Sequence, residues 1–529
     1  MTPPRVPADA WTSEALTHFR HPDRPPRTPM RAMHRAAGLA ILVLCVTSST
    51  AAAQQLPALM PDPAHRVPAT RGADAQAFTI RSTILDQTRR ISVVLPSSYA
   101  TSPATRRYPV FVILDGESNL PASAAVADEL SRNGMIPEAI LVAIENTDPA
   151  RGRVHDLTPP GLSVSGSGLD AGGDRFLDFI ERELLPAVDR QFRGGTPRTL
   201  IGHSSGAILA TYAAATRSTY RTVIAIDAPI GLGDNWLAKK LTARAAAPLA
   251  PLRYVSYESR FGWPAEDWQA LVAAAPTSWQ LRREVLQGEG HETLFMLGAY
   301  LGLREVFRDY SRLVAQERPA LEILDYYSGV STALGGALPP PKRLLREVVD
   351  DLIAEGRGVG ARAAYRLFVE SYGAPPDDVE VQAEILVAES RPAPSETVAS
   401  LLATPFPTPD EASRFVGDWV GYHWMVPDAP RNEPETLRIR VENGKVVGEL
   451  INPAAPPEFR VRKLDYLRVT SVGLTYGFRN GMRPRGVVLW EGTLTGETLA
   501  GKQRWGGVAP PKRPDSRIDP GFSLTRVRK

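Results

Sequence analysis

Short apolar runs that alternate with helical patterns organise the first half of the chain. Tyr108 to Leu114 and Ala139 to Ile144 are near-continuous apolar runs, and a helical pattern from Pro121 to Arg132 separates them. Such an alternation indicates parallel strands that are buried on both faces. Two earlier runs, Phe78 to Leu85 and Ile91 to Leu95, predict an antiparallel pair. The pattern therefore predicts an α/β fold with a mostly parallel sheet.

The pattern changes beyond residue 318. Residues 320–390 contain three helical segments separated by Gly or Pro, which predicts a degenerate tetratricopeptide-like array or a helical spacer. Short alternating runs and an Asn443-Gly444 turn signal then predict a small all-β barrel or sandwich. We expect these segments: leader 1–53, α/β domain 76–318, all-α segment 320–390, Pro-rich linker 391–410 and β-rich domain 411–529.

The first 53 residues predict an export leader. Basic residues precede an apolar run from Ala36 to Val46, and small residues follow it up to Ala53. The run is short for a bilayer span, so we expect cleavage near Ala53 and a periplasmic or extracellular protein; an uncleaved anchor is the alternative. The chain has one cysteine, Cys45. Its position in the leader leaves no thiol nucleophile, cysteine metal ligand or disulfide in the mature protein.

Composition excludes one class of partner. The 529-residue chain has a net charge of +3, and six arginines against three acidic residues in positions 1–53 account for that excess. No basic tract remains after the leader, so a nucleic-acid partner is not expected.

The segment Gly202-His-Ser-Ser-Gly206 lies between an apolar run and an Ala/Leu-rich helical pattern. A serine between glycines at a strand-to-helix turn is typical of a nucleophile elbow, which holds the hydroxyl clear of the sheet. We therefore expect Ser204 to be the nucleophile of a serine hydrolase. The backbone N–H of Ser205 would be one donor of the oxyanion hole.

A serine nucleophile needs a base, and histidine suits that role at neutral pH. In this class of enzyme the acid and then the histidine follow the serine along the chain. Only His291 and His423 follow Ser204. His423 lies in the strand-rich tail and is expected to be a barrel residue. His291 lies in a Gly-flanked turn before the last helix of the α/β domain, so we expect it to be the base.

Several carboxylates compete for the acid position. Glu258 directly follows the second predicted strand after the nucleophile, and we prefer it. Asp267 is the second choice, and Asp227 and Glu266 are further candidates at the same sheet edge. The role of the acid would be to orient the base and to stabilise its protonated form.

The second oxyanion donor should come from the loop after the third strand. That loop contains Gly116 and Glu117, and a backbone N–H of one of them is the expected donor. This chemistry requires neither a metal nor an organic cofactor.

Five motifs follow one another along the chain: Tyr108-Pro-Val-Phe-Val-Ile-Leu-Asp-Gly, Asn146-Thr-Asp, Arg153-Val-His-Asp-Leu-Thr-Pro, Gly202-His-Ser-Ser-Gly and Gly290-His291. In this order they resemble the putative esterase family of α/β-hydrolases, which includes siderophore esterases, feruloyl esterases and S-formylglutathione hydrolases. The resemblance covers about residues 78–312, is closest to the siderophore-esterase branch, and implies the α/β-hydrolase fold and ester hydrolysis.

The appended segments and some single residues extend or limit this resemblance. The helical extension from Tyr326 resembles that of some bacterial members. The Phe415-Val-Gly-Asp-Trp-Val-Gly opening resembles lipocalin-like barrels, which implies a pocket for an apolar ligand, although a barrel filled by side chains is the simpler expectation. Family members often have Arg at the position of His155 and Gly at that of Ala207, so the resemblance specifies a substrate less well than a reaction.

The expected substrate pocket includes Arg153, His155 and His203. Arg153 would hold an anionic group of the substrate or pair with Asp156. Taken together, the residues predict an exported serine esterase for small-molecule carboxylic esters. An acyltransferase with the same triad and a non-catalytic binding scaffold at the cell envelope are the alternatives.

Overall fold

The structure is a computed structural model. It describes residues 57–63, 75–147, 151–162, 171–244, 250–316, 318–390, 396–424, 434–457, 460–479, 486–507 and 520–527. The predicted leader lies outside these residues. Within them, no helix is both long and apolar enough to cross a bilayer.

The first sheet has its parallel strands in the centre and at one edge. Among the described residues it consists of β1 (Leu59–Pro61), β2 (Ala75–Ser82), β3 (Gln87–Val94), β4 (Tyr108–Ile113), β5 (Ile140–Ile144), β6 (Gly194–His203), β7 (Thr222–Ile226), β8 (Leu252–Glu258) and β9 (Trp279–Val285). Their spatial order is β1-β2-β3-β5-β4-β6-β7-β8-β9. Strands β1, β2 and β3 are antiparallel to their neighbours, and the six strands from β4 to β9 are mutually parallel. This arrangement confirms the predicted α/β-hydrolase fold.

Helices cover both faces of this sheet. They are α1 (Gly116–Arg132), α2 (Arg151–Leu157), α3 (Gly173–Phe179), α4 (Leu185–Gln191), α5 (Ser205–Thr216), α6 (Leu232–Arg244), α7 (Ala265–Ala274) and α8 (Leu294–Val306), with a π-helical turn at Ile180–Leu184 between α3 and α4. Side chains of a strand alternate between faces. Val110 and Val112 accordingly enter a core with α3 to α6, whereas Phe111 and Ile113 enter a second core with α1 and α8. The near-continuous apolar runs thus reflect burial on both faces.

The helical extension completes the second core. It consists of α9 (Arg312–Ala315), α10 (Ala320–Leu334), α11 (Lys342–Ala354), α12 (Gly358–Tyr372) and α13 (Asp378–Ser390), preceded by a 3₁₀ turn at Arg308–Tyr310. Buried residues of α10 to α13 belong to the same apolar cluster as α1 and α8. Arg106 links the two parts, because its guanidinium lies between the rings of Tyr108 and Tyr372 and donates to the Ser371 carbonyl at 2.7 Å.

The segment predicted as a linker is partly folded. It contains α14 (Val398–Leu402) and leads into α15 (Pro409–Ala412) and a 3₁₀ turn at Ser413–Phe415. Leu401 is buried against Leu489 of the β-rich domain, and Glu396 pairs with Arg504 at 2.7 Å. Because this segment is rich in proline, the sequence pattern did not predict the short apolar helix α14, which packs onto the following domain.

The C-terminal domain is one antiparallel sheet. Among the described residues its strands are β10 (Gly417–Trp424), β11 (Glu435–Glu442), β12 (Lys445–Ile451), β13 (Val461–Lys463), β14 (Tyr466–Val469), β15 (Gly473–Arg479), β16 (Val487–Thr495), β17 (Thr498–Gly506) and β18 (Gly521–Arg526). Their order is β13-β12-β11-β10-β18-β17-β16-β15-β14. Asn443 and Gly444 form the tight turn between β11 and β12, as predicted.

This sheet curls, since its two edge strands are separated by only two residues. Leu464 donates to the Gly448 carbonyl of β12 at 2.9 Å, and Asp465 donates to the Gly477 carbonyl of β15 at 3.0 Å. Large side chains fill the concave side, and the fully buried ones include those of Trp419, Tyr476 and Phe522. The lipocalin-like resemblance and its apolar ligand stay predictions.

His423 is part of that interior, as expected. Its Nε2 lies 2.6 Å from the Tyr476 hydroxyl and its Nδ1 lies 2.7 Å from a Glu435 carboxylate oxygen. Only 7% of its side chain is exposed. Both ring nitrogens of His423 therefore face groups of the C-terminal domain, to which His423 itself belongs.

Candidate active site

The carboxyl ends of the parallel strands bring the candidate residues to one edge of the sheet. Ser204 follows β6, Asp227 follows β7, and His291 lies in the loop between β9 and α8. Asp115 follows β4, between β5 and β6 in the sheet. In open α/β sheets, ligands bind in the crevice outside these strand ends. The fold thus assembles residues that lie up to 176 positions apart.

Ser204 occupies the predicted sharp turn. Its backbone has φ 57° and ψ −120°, a conformation that residues with a side chain rarely adopt, between the end of β6 and the first residue of α5. A Cβ at Gly202 would lie 2.2 Å from the Gly206 carbonyl oxygen, so the turn requires glycine there. The Ser204 N–H donates to the Ile226 carbonyl at 2.9 Å. These features are those of a nucleophile elbow.

His291 is paired with Asp227. The distance between His291 Nδ1 and Asp227 Oδ2 is 2.7 Å, and the other carboxylate oxygen accepts from the Ser259 N–H at 3.0 Å. Asp227 is 3% exposed, whereas the His291 side chain is 41% exposed. Because Nδ1 donates to the carboxylate, Nε2 is the ring nitrogen left to accept a proton.

The preference for Glu258 as the partner of His291 is wrong in this structure. Glu258 is fully buried, and its carboxylate accepts from Arg283 Nε at 2.8 Å, from Arg283 Nη2 at 2.7 Å and from the Trp263 N–H at 2.9 Å. Three donors hold it inside the fold. Asp227 directly follows the preceding strand, β7, and its shorter side chain faces the His291 loop instead.

Asp267, the second choice for the acid, is not the carboxylate that pairs with His291 either. Asp267 is in the first turn of α7, where a Cβ added to Gly231 would lie 1.9 Å from one of its carboxylate oxygens. Glu266 is exposed on the same turn. The position of Asp227 directly after β7, the first strand beyond Ser204, was a signal in the sequence that could have ranked it higher.

His203 contacts His291. Its Nε2 donates to the His291 backbone carbonyl at 3.0 Å, and the two imidazole rings are 4.6 Å apart. Burial lowers the pKa of His203, and the neighbouring His291 lowers it further. His203 was expected to bind substrate, but its ring nitrogen is directed at the turn that carries His291.

The expected oxyanion loop is held against the elbow. Asp115 is left-handed at φ 53° and precedes Gly116, the first residue of α1. A Cβ at Gly116 would lie 2.8 Å from the backbone nitrogen of Ile144, so this position also requires glycine. The Asp115 carboxylate would lie 3.3 Å from a Cβ at Gly206. The first backbone N–H groups of α1 and α5 have no acceptor within their own helices. Because the two helices begin at adjacent turns, these N–H groups suit an oxyanion hole.

A polar network fixes this loop. Arg153 donates to the two Asp115 oxygens at 2.6 Å and 2.9 Å, and Asn146 donates to Asp115 at 2.8 Å and to Glu117 at 2.7 Å. The bidentate geometry restrains the carboxylate and thereby the left-handed residue that carries it. Arg153 is thus engaged by the loop of the expected oxyanion hole.

The alternative pairing of Arg153 with Asp156 is wrong. Asp156 is buried and pairs with Arg89 at 2.7 Å, and its other oxygen lies 3.1 Å from His155 Nδ1. His155 packs on Gly172, where a Cβ would lie 2.0 Å from its ring. A buried guanidinium needs a carboxylate, and Arg89 takes the one that Arg153 was expected to use.

No group of three His, Cys, Asp or Glu side chains suited to a metal ion occurs among the described residues. The candidate site offers a hydroxyl, an imidazole–carboxylate pair and backbone N–H donors. Such a set performs acyl transfer in unrelated folds.

Part of the chain is similar to known esterases. Residues 82–275 match the family model described as Putative esterase. The siderophore triacetylfusarinine C esterase of Aspergillus fumigatus is 36% identical over 118 residues, which make up 21% of this chain and 39% of that relative. The chain thus aligns with less than half of the relative's length. The match to the family model confirms the resemblance that the motifs predicted.

Two solved structures resemble the fold. An IroE-like serine hydrolase from Shewanella oneidensis is 24% identical with a TM-score of 0.48, and the match covers 56% of this chain and 99% of that one. The siderophore hydrolase EstA from Aspergillus nidulans is 16% identical with a TM-score of 0.40, and the match covers 46% and 98% respectively.

Replacing Glu258 should affect stability. The change Glu258→Gln removes the charge that neutralises Arg283 inside the fold, so we expect a loss on the order of 3 kcal/mol. Glu266→Gln, on the exposed first turn of α7, is the matched control and should cost less than about 1 kcal/mol. Urea unfolding followed by circular dichroism measures both. Equal midpoints for the two variants would contradict the structural role of Glu258.

The lowered pKa of His203 predicts a pH dependence of stability. Below its ordinary pKa of about 6.5 the unfolded chain binds a proton that folded His203 resists, so folding stability falls as the pH drops from that value. Above it, both states are neutral and the effect vanishes. The change His203→Gln should therefore reduce the slope below pH ~6.5 by up to about 1.4 kcal/mol per pH unit. Urea unfolding at several pH values tests this, and parallel curves for variant and wild type would refute it.

Proposed function

We propose that this chain, whose residues 82–275 match the Putative esterase family, is a serine esterase that hydrolyses carboxylic esters of small molecules. The observation that carries the proposal is the 2.7 Å contact between His291 and Asp227 beside the elbow of Ser204. Carboxylate, imidazole and strained serine at one sheet edge form the constellation that activates a hydroxyl nucleophile.

The proposed reaction has two halves. The Ser204 Oγ attacks the ester carbonyl carbon while His291 Nε2 takes the hydroxyl proton. Asp227 holds the tautomer and stabilises the imidazolium. The tetrahedral intermediate collapses, and the alcohol leaves with the proton from His291. Water then attacks the acyl-enzyme, with His291 again as base, and releases the acid and free Ser204.

The oxyanion of each intermediate needs preorganised donors. We assign these to the backbone N–H of Ser205 and to one N–H at Gly116 or Glu117, both at the first turn of a helix. The helix dipoles point their positive ends at this place. Arg153 supports the site through its two bonds to Asp115, so in this proposal it restrains the oxyanion loop.

Replacing members of the triad tests the proposal. Ser204→Ala and His291→Ala should each lower kcat for p-nitrophenyl acetate by at least about 10⁴-fold, because the nucleophile and base act as a unit. Asp227→Asn should lower it by about 10³- to 10⁴-fold, since His291 loses its orienting acceptor. The substrate panel should include triacetylfusarinine C, the siderophore named in the Aspergillus fumigatus relative.

Two variants serve as controls for that assay. Ser218→Ala removes a hydroxyl just beyond α5 and should retain wild-type kcat. Glu258→Gln should retain kcat within about tenfold at a temperature where it is folded, since Glu258 contacts Arg283 and not His291. Wild-type turnover in Ser204→Ala would end the proposal, and a larger kcat loss in Glu258→Gln than in Asp227→Asn would reject the assignment of the acid.

Export is a second part of the proposal, and it rests on the leader pattern of basic, apolar and small residues in positions 31–53. We expect signal cleavage near Ala53. N-terminal sequencing of the protein recovered from outside the cytoplasm of the expressing bacterium should begin close to Gln54. Recovery of the uncleaved chain in the membrane fraction would instead favour an anchor.

A further inference from the structure

The cation that bonds to the expected oxyanion loop is already neutralised. Asp115 accepts from Arg153 Nε at 2.6 Å and from Arg153 Nη2 at 2.9 Å. Only 27% of the Arg153 side chain is exposed. A bidentate pair satisfies both the charge and the planar geometry of a guanidinium. Arg153 therefore brings no net positive charge to a substrate at the proposed active site.

Glu117 adds a carboxylate beside this pair. One of its oxygens accepts from the Asn146 side-chain amide at 2.7 Å, and the other accepts from the Asn146 backbone N–H at 3.2 Å. The same side-chain amide donates to Asp115 at 2.8 Å, so the two carboxylates are neighbours. Glu117 is exposed and lies in the first turn of α1. Its negative charge is thus held in solvent beside the proposed oxyanion hole.

Glu292 supplies a second exposed carboxylate. It directly follows His291, the proposed base, and precedes α8. Burial lowers the pKa of Arg153, but its hydrogen bond to Asp115 and the neighbouring carboxylates raise that pKa overall. Those carboxylates include Glu117 and Glu292. Both exposed charges therefore act on the same guanidinium, next to the proposed catalytic groups.

Basic side chains do not neutralise these two carboxylates. Among the residues that the structure describes, neither Glu117 nor Glu292 forms an ion pair with a lysine or an arginine. Arg260 is a further cation at this edge, and its backbone N–H donates to the Glu289 carbonyl in the His291 loop at 2.8 Å. The Glu289 carboxylate offsets the charge of Arg260. The excess charge at the site is therefore negative.

We infer that this site selects esters with a positively charged group within a few bonds of the ester oxygen, and that it disfavours anionic esters. The inference rests on the proposed esterase function and assigns the selectivity to Glu117 and Glu292. Charges of one sign at a cleft attract substrates of the opposite sign and repel those of the same sign. It replaces the expectation that Arg153 holds an anionic group, because Asp115 occupies that guanidinium.

Three acetate esters of one shape test this inference. Acetylcholine carries a trimethylammonium group, 3,3-dimethylbutyl acetate a neutral tert-butyl group, and 3-carboxy-3-methylbutyl acetate a carboxylate. At an ionic strength of about 0.01 M we expect kcat/KM for the cation to exceed that for the neutral ester at least about fivefold, and the anion to fall at least about fivefold below it. At about 1 M the Debye length is about 3 Å, and the three values should converge.

The three esters distinguish failure of the inference from failure of the proposed function. Equal kcat/KM values at low ionic strength, or a preference for the anion, would overturn the inference and leave ester hydrolysis standing. If none of the three esters is hydrolysed, or if hydrolysis persists in Ser204→Ala, the proposed function is wrong and the inference falls with it.

Two double variants locate the selectivity. Glu117→Gln with Glu292→Gln keeps the side-chain lengths and should bring the cation-to-neutral ratio of kcat/KM close to one. A general loss of activity cancels in this ratio. Glu322→Gln with Glu380→Gln removes the same two charges from exposed positions on α10 and α13 and should keep the wild-type ratio. Wild-type selectivity in the Glu117/Glu292 double variant would refute the assignment.

Discussion

The central constraint on this protein is that a parallel sheet must be covered on both faces. Alternate residues of β4 enter opposite cores, so a solvent-exposed face would leave half of its apolar side chains in water. Helices α3 to α6 cover one face. The other is covered by α1 and α8 and is continued by the helical extension, whose buried residues belong to the same cluster. The extension is thus part of the fold's core, and Arg106 anchors it there.

The same sheet concentrates strained backbone at one edge. Asp115, Ser204 and Asp227 follow the neighbouring strands β4, β6 and β7, and all three have positive φ values, of 53°, 57° and 51°. Residues with a side chain adopt this region at a cost of about 1–3 kcal/mol each, and such residues cluster at functional sites. Hydrogen bonds to neighbouring residues hold two of these residues in place. Arg153 and Asn146 donate to Asp115, and Ser259 and His291 donate to Asp227.

Sequence reasoning predicted the turn at Ser204 and the position of His291 at the same sheet edge, because local chemistry and chain order are sufficient for both. Gly202 is required because a Cβ there would lie 2.2 Å from the Gly206 carbonyl oxygen, so the motif itself indicates the turn. His291 followed from the scarcity of histidines beyond Ser204. The carboxylate that pairs with His291 could not be identified in this way, because Asp227, Glu258 and Asp267 were all expected at the same edge of the sheet. Which of them faces His291 depends on side-chain length and on Arg283, a residue of the next strand that sequence order does not connect to Glu258.

Arg153 and His203 show why pocket residues are harder to predict than the residues of the proposed triad. Both were expected to touch substrate, since each is polar and close to a catalytic motif. Each instead bonds to a segment that carries a proposed catalytic group: Arg153 to Asp115, and His203 to the His291 carbonyl. Catalytic groups must be held to within about half an ångström, which requires a supporting layer of hydrogen bonds. Polar residues beside a motif therefore have two competing uses, and only their partners in space distinguish support of the site from contact with the substrate.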